Sequence, residues 1–176
     1  MNLEKYQQYS RIARGLEKAD LVLKDARIVN VFTEEIIRGD IAIQDGIIAG
    51  IGSFHGKEER DLAGRYVCPG FIDSHLHLES TLVTPAELVT VASRHGTTTF
   101  IVDPHESANV SGLAGVDYIL DQTENVKANV YVMMPSCVPA TSIDDNGCTL
   151  TAEDMAPYLH NSRILGLGAV MDSISV

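Results

Sequence analysis

The residues best suited to chemistry are two histidines one position apart, His75 and His77, in the run PGFIDSHLHLES from Pro69 to Ser80. On an extended strand, side chains two apart point to the same face. Two imidazoles on one face at a strand end can grip a single divalent cation. The triplet alone is a weak signal, because an ordinary buried or surface pair of histidines gives the same pattern. Its surroundings strengthen it. Phe71 and Ile72 form an apolar lead-in, and Glu79 follows the pair. A second apolar run, Phe100 to Val102, leads straight into Asp103, Pro104, His105 and Glu106. The competing reading of that second cluster is a turn that caps the next helix. A third run ends at Met133-Met134-Pro135-Ser136-Cys137. Polar groups that follow consecutive strands point to one shared site, since the C-terminal strand ends of parallel α/β folds collect ligands and catalytic groups.

The elements that must position these groups are legible in the periodicity. Leu3, Tyr6, Tyr9, Ile12, Ala13 and Leu16 form an apolar stripe at helical spacing, which predicts an N-terminal helix within residues 1–19. Residues 20–67 carry short branched runs at Leu21–Leu23, Ile28–Val31 and Ile36–Ile37. They are followed by IAIQDGIIAGIG, with Asp45-Gly46 as a tight hairpin turn. This stretch predicts a small, mostly antiparallel β unit, with the polar segment Gly52–Gly64 as a connection inside it. From residue 68 to 176 the rhythm becomes strand and helix in alternation. Strands are expected at Phe71–Ile72, Thr97–Val102, Asn129–Met134 and Arg163–Leu167. Helices are expected at Pro85–His95, Leu113–Glu124 and Ala152–Leu159, with Thr84 as N-cap of the first. Such alternation predicts an α/β fold with parallel βαβ units.

Composition narrows the classes of function. The chain has 176 residues and a net charge of −11, which disfavours a nucleic-acid partner held through phosphates. It has no Trp and only 6% aromatic residues, so a base-stacking platform is also disfavoured. Cys68, Cys137 and Cys148 are an odd set without a close pair, which points to a reduced, cytoplasmic setting. The N-terminus lacks an apolar core of signal-peptide length, and no run approaches the roughly 18 apolar residues a membrane span needs. The cytidine-deaminase pattern of H-x-E followed by P-C-x-x-C is missing, as is HExxH. Gly166-Leu167-Gly168 lacks the third glycine of a dinucleotide loop.

Residues 66–80 resemble the first barrel strand of the amidohydrolase superfamily, whose members carry a small β-sandwich beside a (β/α)8 barrel. Within it the chain is similar to the bacterial-type adenine deaminase family. That likeness is carried by His95-Gly96-Thr97-Thr98-Thr99, Asp103-Pro104-His105-Glu106, Ala108-Asn109-Val110 and the stretch from Met133 to Thr141. The resemblance implies metal-dependent hydrolysis of adenine to hypoxanthine and ammonia, with a purine as the small-molecule substrate and a homo-oligomeric enzyme. It implies that His75 and His77 are metal ligands, and that Glu79, Asp103, His105 and Glu106 bind substrate or support the ligands from an outer shell. The metal implied is Mn²⁺ first, with Fe²⁺ or Zn²⁺ as alternatives. The family carries an acid near the end of the fourth strand, expected to bridge metals. Ala169 stands at that position, and Asp172 lies close to it but off register, a departure that weighs against a two-metal site.

A (β/α)8 barrel needs roughly 250 residues. The segment from residue 68 to 176 has room for about four βα units, so a partial, truncated barrel is expected, preceded by the 20–67 β-sandwich portion. Later strands would supply the catalytic acid or base, so the chain alone is expected to be inactive on adenine. Two other readings compete. One is a different amidohydrolase acting on cyclic amides or amino sugars. The other is a non-catalytic half-barrel that oligomerises.

Overall fold

The computed structural model describes residues 2–171, so Asp172 lies outside the described residues. The chain forms two compact units, Met1–Pro69 and Gly70–Val176.

The first unit opens with helix α1 (Leu3–Ala13), whose Asn2 side chain accepts from Lys5 N at 2.9 Å as the N-cap. Its apolar stripe sets Ile12 in a small core with Ala19, Val22, Ala42 and Phe54. Five strands follow: β1 (Ala19–Asn30), β2 (Glu35–Gln44), β3 (Ile47–Gly52), β4 (Gly56–Asp61) and β5 (Tyr66–Val67). The β2–β3 hairpin turns at Asp45-Gly46, both at positive φ (51° and 75°), as the Asp-Gly pair requires. The β1–β2 and β2–β3 ladders are antiparallel, as expected, and β4 and β5 add shorter parallel pairings to β1. One expectation needs correction. The segment 52–64 is not only a connection, because it contains β4. That strand runs along the sheet edge with its side chains exposed after Gly56, so its polarity reflects solvent on both faces. The apolar run at 21–23 and residues 28–30 of the next belong to one strand, β1, interrupted by a bulge between Leu23 and Ala26.

That bulge has a buried charge beneath it. Asp40 accepts from Asp25 N at 3.1 Å and Phe54 N at 3.1 Å, while Lys24 Nζ donates to Asp40 and to the Phe54 carbonyl at 2.9 Å. Burial pushes the Asp40 carboxyl up, but the Lys24 ammonium and the two backbone donors outweigh it and hold the group below its usual range. Hydrogen bonding to Asp40 holds the Lys24 ammonium above its own.

The second unit is a parallel sheet with its strands in chain order: β6 (Phe71–Leu76), β7 (Thr97–Val102), β8 (Asn129–Met134) and β9 (Ile164–Leu167). Helices α2 (Pro85–Arg94), α3 (His105–Ser111) and α4 (Leu113–Gln122) and the single turn α5 (Ala152–Met155) form the crossovers. Alternation along β7 and β8 buries Phe100, Val102, Val130, Val132 and Met134 against Val89, Val116 and Ile119 of the helices. The opposite face carries the half-buried Ile101, Tyr131 and Met133. Thr84 is the N-cap of α2 and Pro85 starts the helix, as expected, although the Thr84 side chain makes no capping hydrogen bond. Two other stretches differ from the expected helices. Helix 152–159 is one α turn followed by a 3-10 turn at Ala156–His160, interrupted near Pro157. The stretch after Asp103 is a seven-residue helix, α3, which the sequence reading did not foresee.

Removing the Asp40 carboxylate leaves Lys24 and two backbone donors uncompensated. Asp40→Ala is therefore expected to lower the unfolding free energy of the first unit by about 2–3 kcal/mol. The Asp40 contribution is complete above the unfolded carboxylate pKa of about 3.9 and is lost as pH falls through the lower folded value. The Lys24 contribution is complete below about 10.4 and is lost as pH rises through its raised folded value. Urea unfolding followed by far-UV circular dichroism at pH 3 and pH 7 checks the Asp40 contribution, and at about pH 11 the Lys24 contribution; equal wild-type and variant stabilities at pH 7 would contradict the assignment.

Candidate metal centre

The site is built from the tips of β6 and β7. Leu76 pairs with Val102 at the end of the ladder, and Asp103 N donates to the Leu76 carbonyl at 2.9 Å, one residue past β7. This bond fixes the backbone between the two histidines. The register shifts between Asp73 and Leu76, so the strand is irregular where it carries His75. His75 is exposed and lies inside β6, while His77 is half-buried and stands one residue beyond it. Their ring centroids are 5.0 Å apart with planes at 82°, so the rings gather on one side as the spacing predicted. Leu78, fully buried, anchors the chain between His77 and Glu79.

After Leu78 the chain makes a 3-10 turn, Glu79–Thr81, that brings Glu79 against the first turn of α3. Glu79 Oε1 accepts from Ser107 N at 3.1 Å. Glu106, in that same first turn, has Oε2 2.9 Å from His77 Nδ1 and Oε1 3.4 Å from the Ser80 hydroxyl, which donates to it. The short His77–Glu106 contact is off hydrogen-bond geometry: His77 Nδ1 is buried without a partner, as is Glu79 Oε2. One donor atom from each of His77, Glu79 and Glu106 lies within 4.8 Å of the others. Burial, together with the nearby Glu106 carboxylate, raises the Glu79 carboxyl above its usual range. Glu106 is pushed up by its own partial burial, but its backbone N–H, the neighbouring Glu79 carboxyl and the charge of His77 bring it below the usual range.

These atoms fit a divalent cation. The set offers imidazole nitrogen and carboxylate oxygen, donors suited to Mn²⁺, Fe²⁺ or Zn²⁺, and two of its buried atoms have no protein partner. Asp103 is buried at the end of β7, where Oδ2 accepts from Ala169 N at 3.3 Å and Oδ1 has no partner. It ties the segment after β9 to the tip of β7 rather than joining the His77 cluster. Ser136 Oγ donates to the Ala169 carbonyl at 2.7 Å, so residue 169 is held through both of its backbone polar groups. His105 faces a separate cleft of about 480 Å³, with Glu106, Asn109, Ala140, Asp144 and Asp145. Of the expected site residues, the structure therefore gathers His75, His77, Glu79 and Glu106, and places Asp103 and His105 at the edges. The Ser107 N–H and the Ser136–Ala169 contact were not foreseen; no motif signals backbone groups, and the α3 turn brings in the first and the segments after β8 and β9 the second.

A parallel sheet of βα units with histidine and carboxylate side chains gathered at its strand ends is an α/β arrangement of the barrel type, and comparison with known proteins agrees. The sequence model of the amidohydrolase family matches residues 66–169. The chain belongs to the amidohydrolase family. An adenine deaminase of Desulfitobacterium hafniense (strain Y51) is 57% identical over 176 residues, covering 100% of this chain and 31% of that protein. An adenine deaminase of Geobacillus kaustophilus (strain HTA426) is 51% identical over 155 residues, covering 88% of this chain and 27% of that protein. The chain thus spans about a third of the length of the curated relatives it matches. Among solved structures, the N-acyl-D-glutamate deacylase of Bordetella bronchiseptica, complexed with zinc and a phosphonate inhibitor, has the same fold. Its TM-score is 0.58 at 20% identity, and the match covers 88% of this chain and 39% of that one.

The contact between Asp103 and residues 168–169 makes a specific demand. A Cβ at Gly168 would lie 2.5 Å from Asp103 Oδ2, so only glycine lets the carboxylate reach Ala169 N. Gly168→Ala is expected to destabilise the second unit by about 1–3 kcal/mol. Thermal melting checks it, and a melting temperature equal to that of the unsubstituted chain would contradict the contact.

Proposed function

We propose that this chain serves in the hydrolytic deamination of adenine to hypoxanthine and ammonia, a hydrolase reaction at a C–N bond. The observation that carries the reading is the 57% identity to an adenine deaminase along all 176 residues. His75 and His77 hold a divalent cation, Mn²⁺ first and Fe²⁺ or Zn²⁺ in its place. When bound, the cation lowers the pKa of water so that hydroxide is available near neutral pH. Glu106 lies against His77 Nδ1 and can fix the tautomer and tilt of that ring, as carboxylates beside metal-bound histidines do. Glu79 has a carboxyl with raised proton affinity and a free Oε2, so it can hold a proton beside the histidines. Water adds at C6 of the purine and ammonia leaves, a step that consumes one proton at the departing nitrogen. Asp103 supports the site from behind by holding the segment after β9 to the tip of β7, and His105 faces the neighbouring cleft.

Two finer assignments accompany this reading. The three cysteines are all unpaired, which supports a reducing, cytoplasmic setting. Edge strands β6 and β9 expose Phe71, Ile72, Leu165 and Leu167, which supports assembly into a homo-oligomer. Among the described residues no helix is long and apolar enough to cross a membrane.

A chimera tests the reaction. Residues 1–176 replace the matching stretch of the Desulfitobacterium hafniense adenine deaminase, once as they stand and once with Ala169→Glu. Ammonia release from adenine by either chimera, reduced roughly a hundredfold or more by His77→Ala, is the expected outcome. Folded, Mn²⁺-loaded chimeras that both leave adenine unchanged would contradict the proposal. The 176-residue chain alone is expected to release no ammonia above background.

A further inference from the structure

We infer that His77, Glu79 and Glu106 build a divalent-cation position of their own, on the Nδ1 side of the His77 ring, which does not draw on His75. The inference rests on the metal-dependent reading above and specifies where this chain by itself would hold an ion. The three donors come from three elements: the tip of β6, the 3-10 turn after it, and the first turn of α3. Their ligand atoms lie within 4.8 Å of one another, a set to which His75 does not belong.

Three observations point to a cation rather than to a hydrogen-bonded cluster. First, each carboxylate has one oxygen secured by the protein. Glu79 Oε1 takes the Ser107 N–H at 3.1 Å, and Glu106 Oε1 takes the Ser80 hydroxyl at 3.4 Å. Of the remaining oxygens, Glu79 Oε2 is buried with no partner and Glu106 Oε2 lies 2.9 Å from His77 Nδ1. Outer-shell hydrogen bonds that leave the remaining oxygen unspent are how proteins present carboxylate ligands. Second, His77 Nδ1 sits 2.9 Å from Glu106 Oε2 without hydrogen-bond geometry. Neighbouring ligands at right angles around an ion about 2.1 Å away are themselves about 3 Å apart, so this spacing is that of two members of one coordination sphere. Third, a mixed set of imidazole nitrogen and carboxylate oxygen suits Mn²⁺, Fe²⁺ or Zn²⁺, and a binding ion displaces any proton held on such ligands.

A neutral imidazole has a single free lone pair. His77 can therefore serve the carboxylate position through Nδ1 or a position shared with His75, but not both at once. The two positions compete for one ring. Occupancy of the carboxylate side leaves His75 without its partner, so the first two strands hold an ion without help from any later strand.

Isothermal titration of the metal-free 176-residue chain with Mn²⁺ alone tests this, with Co²⁺ visible absorption as a second readout and circular dichroism to confirm folding. His75→Ala is expected to retain one equivalent of Mn²⁺ with affinity within about threefold of the unsubstituted chain. Adding Glu79→Gln or the exposed Glu106→Gln to that background is expected to weaken binding by about tenfold or more and to change the Co²⁺ spectrum. If His75→Ala abolishes stoichiometric binding, or if both glutamine variants keep it, the carboxylate position is overturned while the adenine reading stands. Conversely, inactive chimeras alongside a His75→Ala chain that still binds Mn²⁺ would sink the adenine reading and leave this position intact.

Discussion

One backbone hydrogen bond, from Asp103 N to the Leu76 carbonyl, sets the geometry of the site. It extends the β6–β7 ladder one step beyond the strands, at the residue between the two histidines. With Leu76 held there and Leu78 buried behind it, His75 and His77 have little choice about where their rings go. The same step brings Asp103 into position to take Ala169 N, so the tips of β6 and β7 and the segment after β9 are linked through two consecutive polar contacts. Parallel sheets collect chemistry at this end because each strand delivers its next residues to a common rim. Here that general property rests on a particular bond, and on the absence of a side chain at Gly168.

The electrostatics of the rim follow from crowding. Glu79 and Glu106 face each other across the first turn of α3 and answer oppositely. Glu79, the more buried, is driven toward its protonated form, and Glu106, beside His77, is held ionised. A pair of acids split in this way is a common sign of a functional site. It also explains why unpartnered atoms persist there. The protein satisfies one oxygen of each carboxylate and leaves the other open, next to a ring nitrogen that is itself unpaired.

Much of this arrangement was legible in the residues. The β7 and β8 strands fall at the stretches their branched residues mark, and Asp45-Gly46 turns the hairpin at the expected place, because both signals are local. The His75 and His77 rings lie near each other, as a spacing of two suggests, although His77 stands just past the end of β6. What the sequence hid was non-local. Strand β4 is polar on both faces because it lies at an edge, so no alternation announces it. The parallel pairing of β4 and β5 with β1 depends on which strand lies beside which, and composition does not encode that. Helix α3 begins directly after Asp103-Pro104 and is only seven residues long, too short to show a stripe. Yet it carries Glu106 to His77, so the closest contact of the site was invisible until the helix was placed.

The central claim is that the tips of β6 and β7 converge on one divalent cation. The most direct measurement is anomalous diffraction above the manganese edge from crystals of this chain grown with Mn²⁺. The account predicts an anomalous peak at coordination distance from His77, with His75 or the Glu79 and Glu106 carboxylates completing its inner sphere. A Mn²⁺-saturated crystal with no peak beside His77, or with His77 turned away to pack against apolar neighbours, would contradict it.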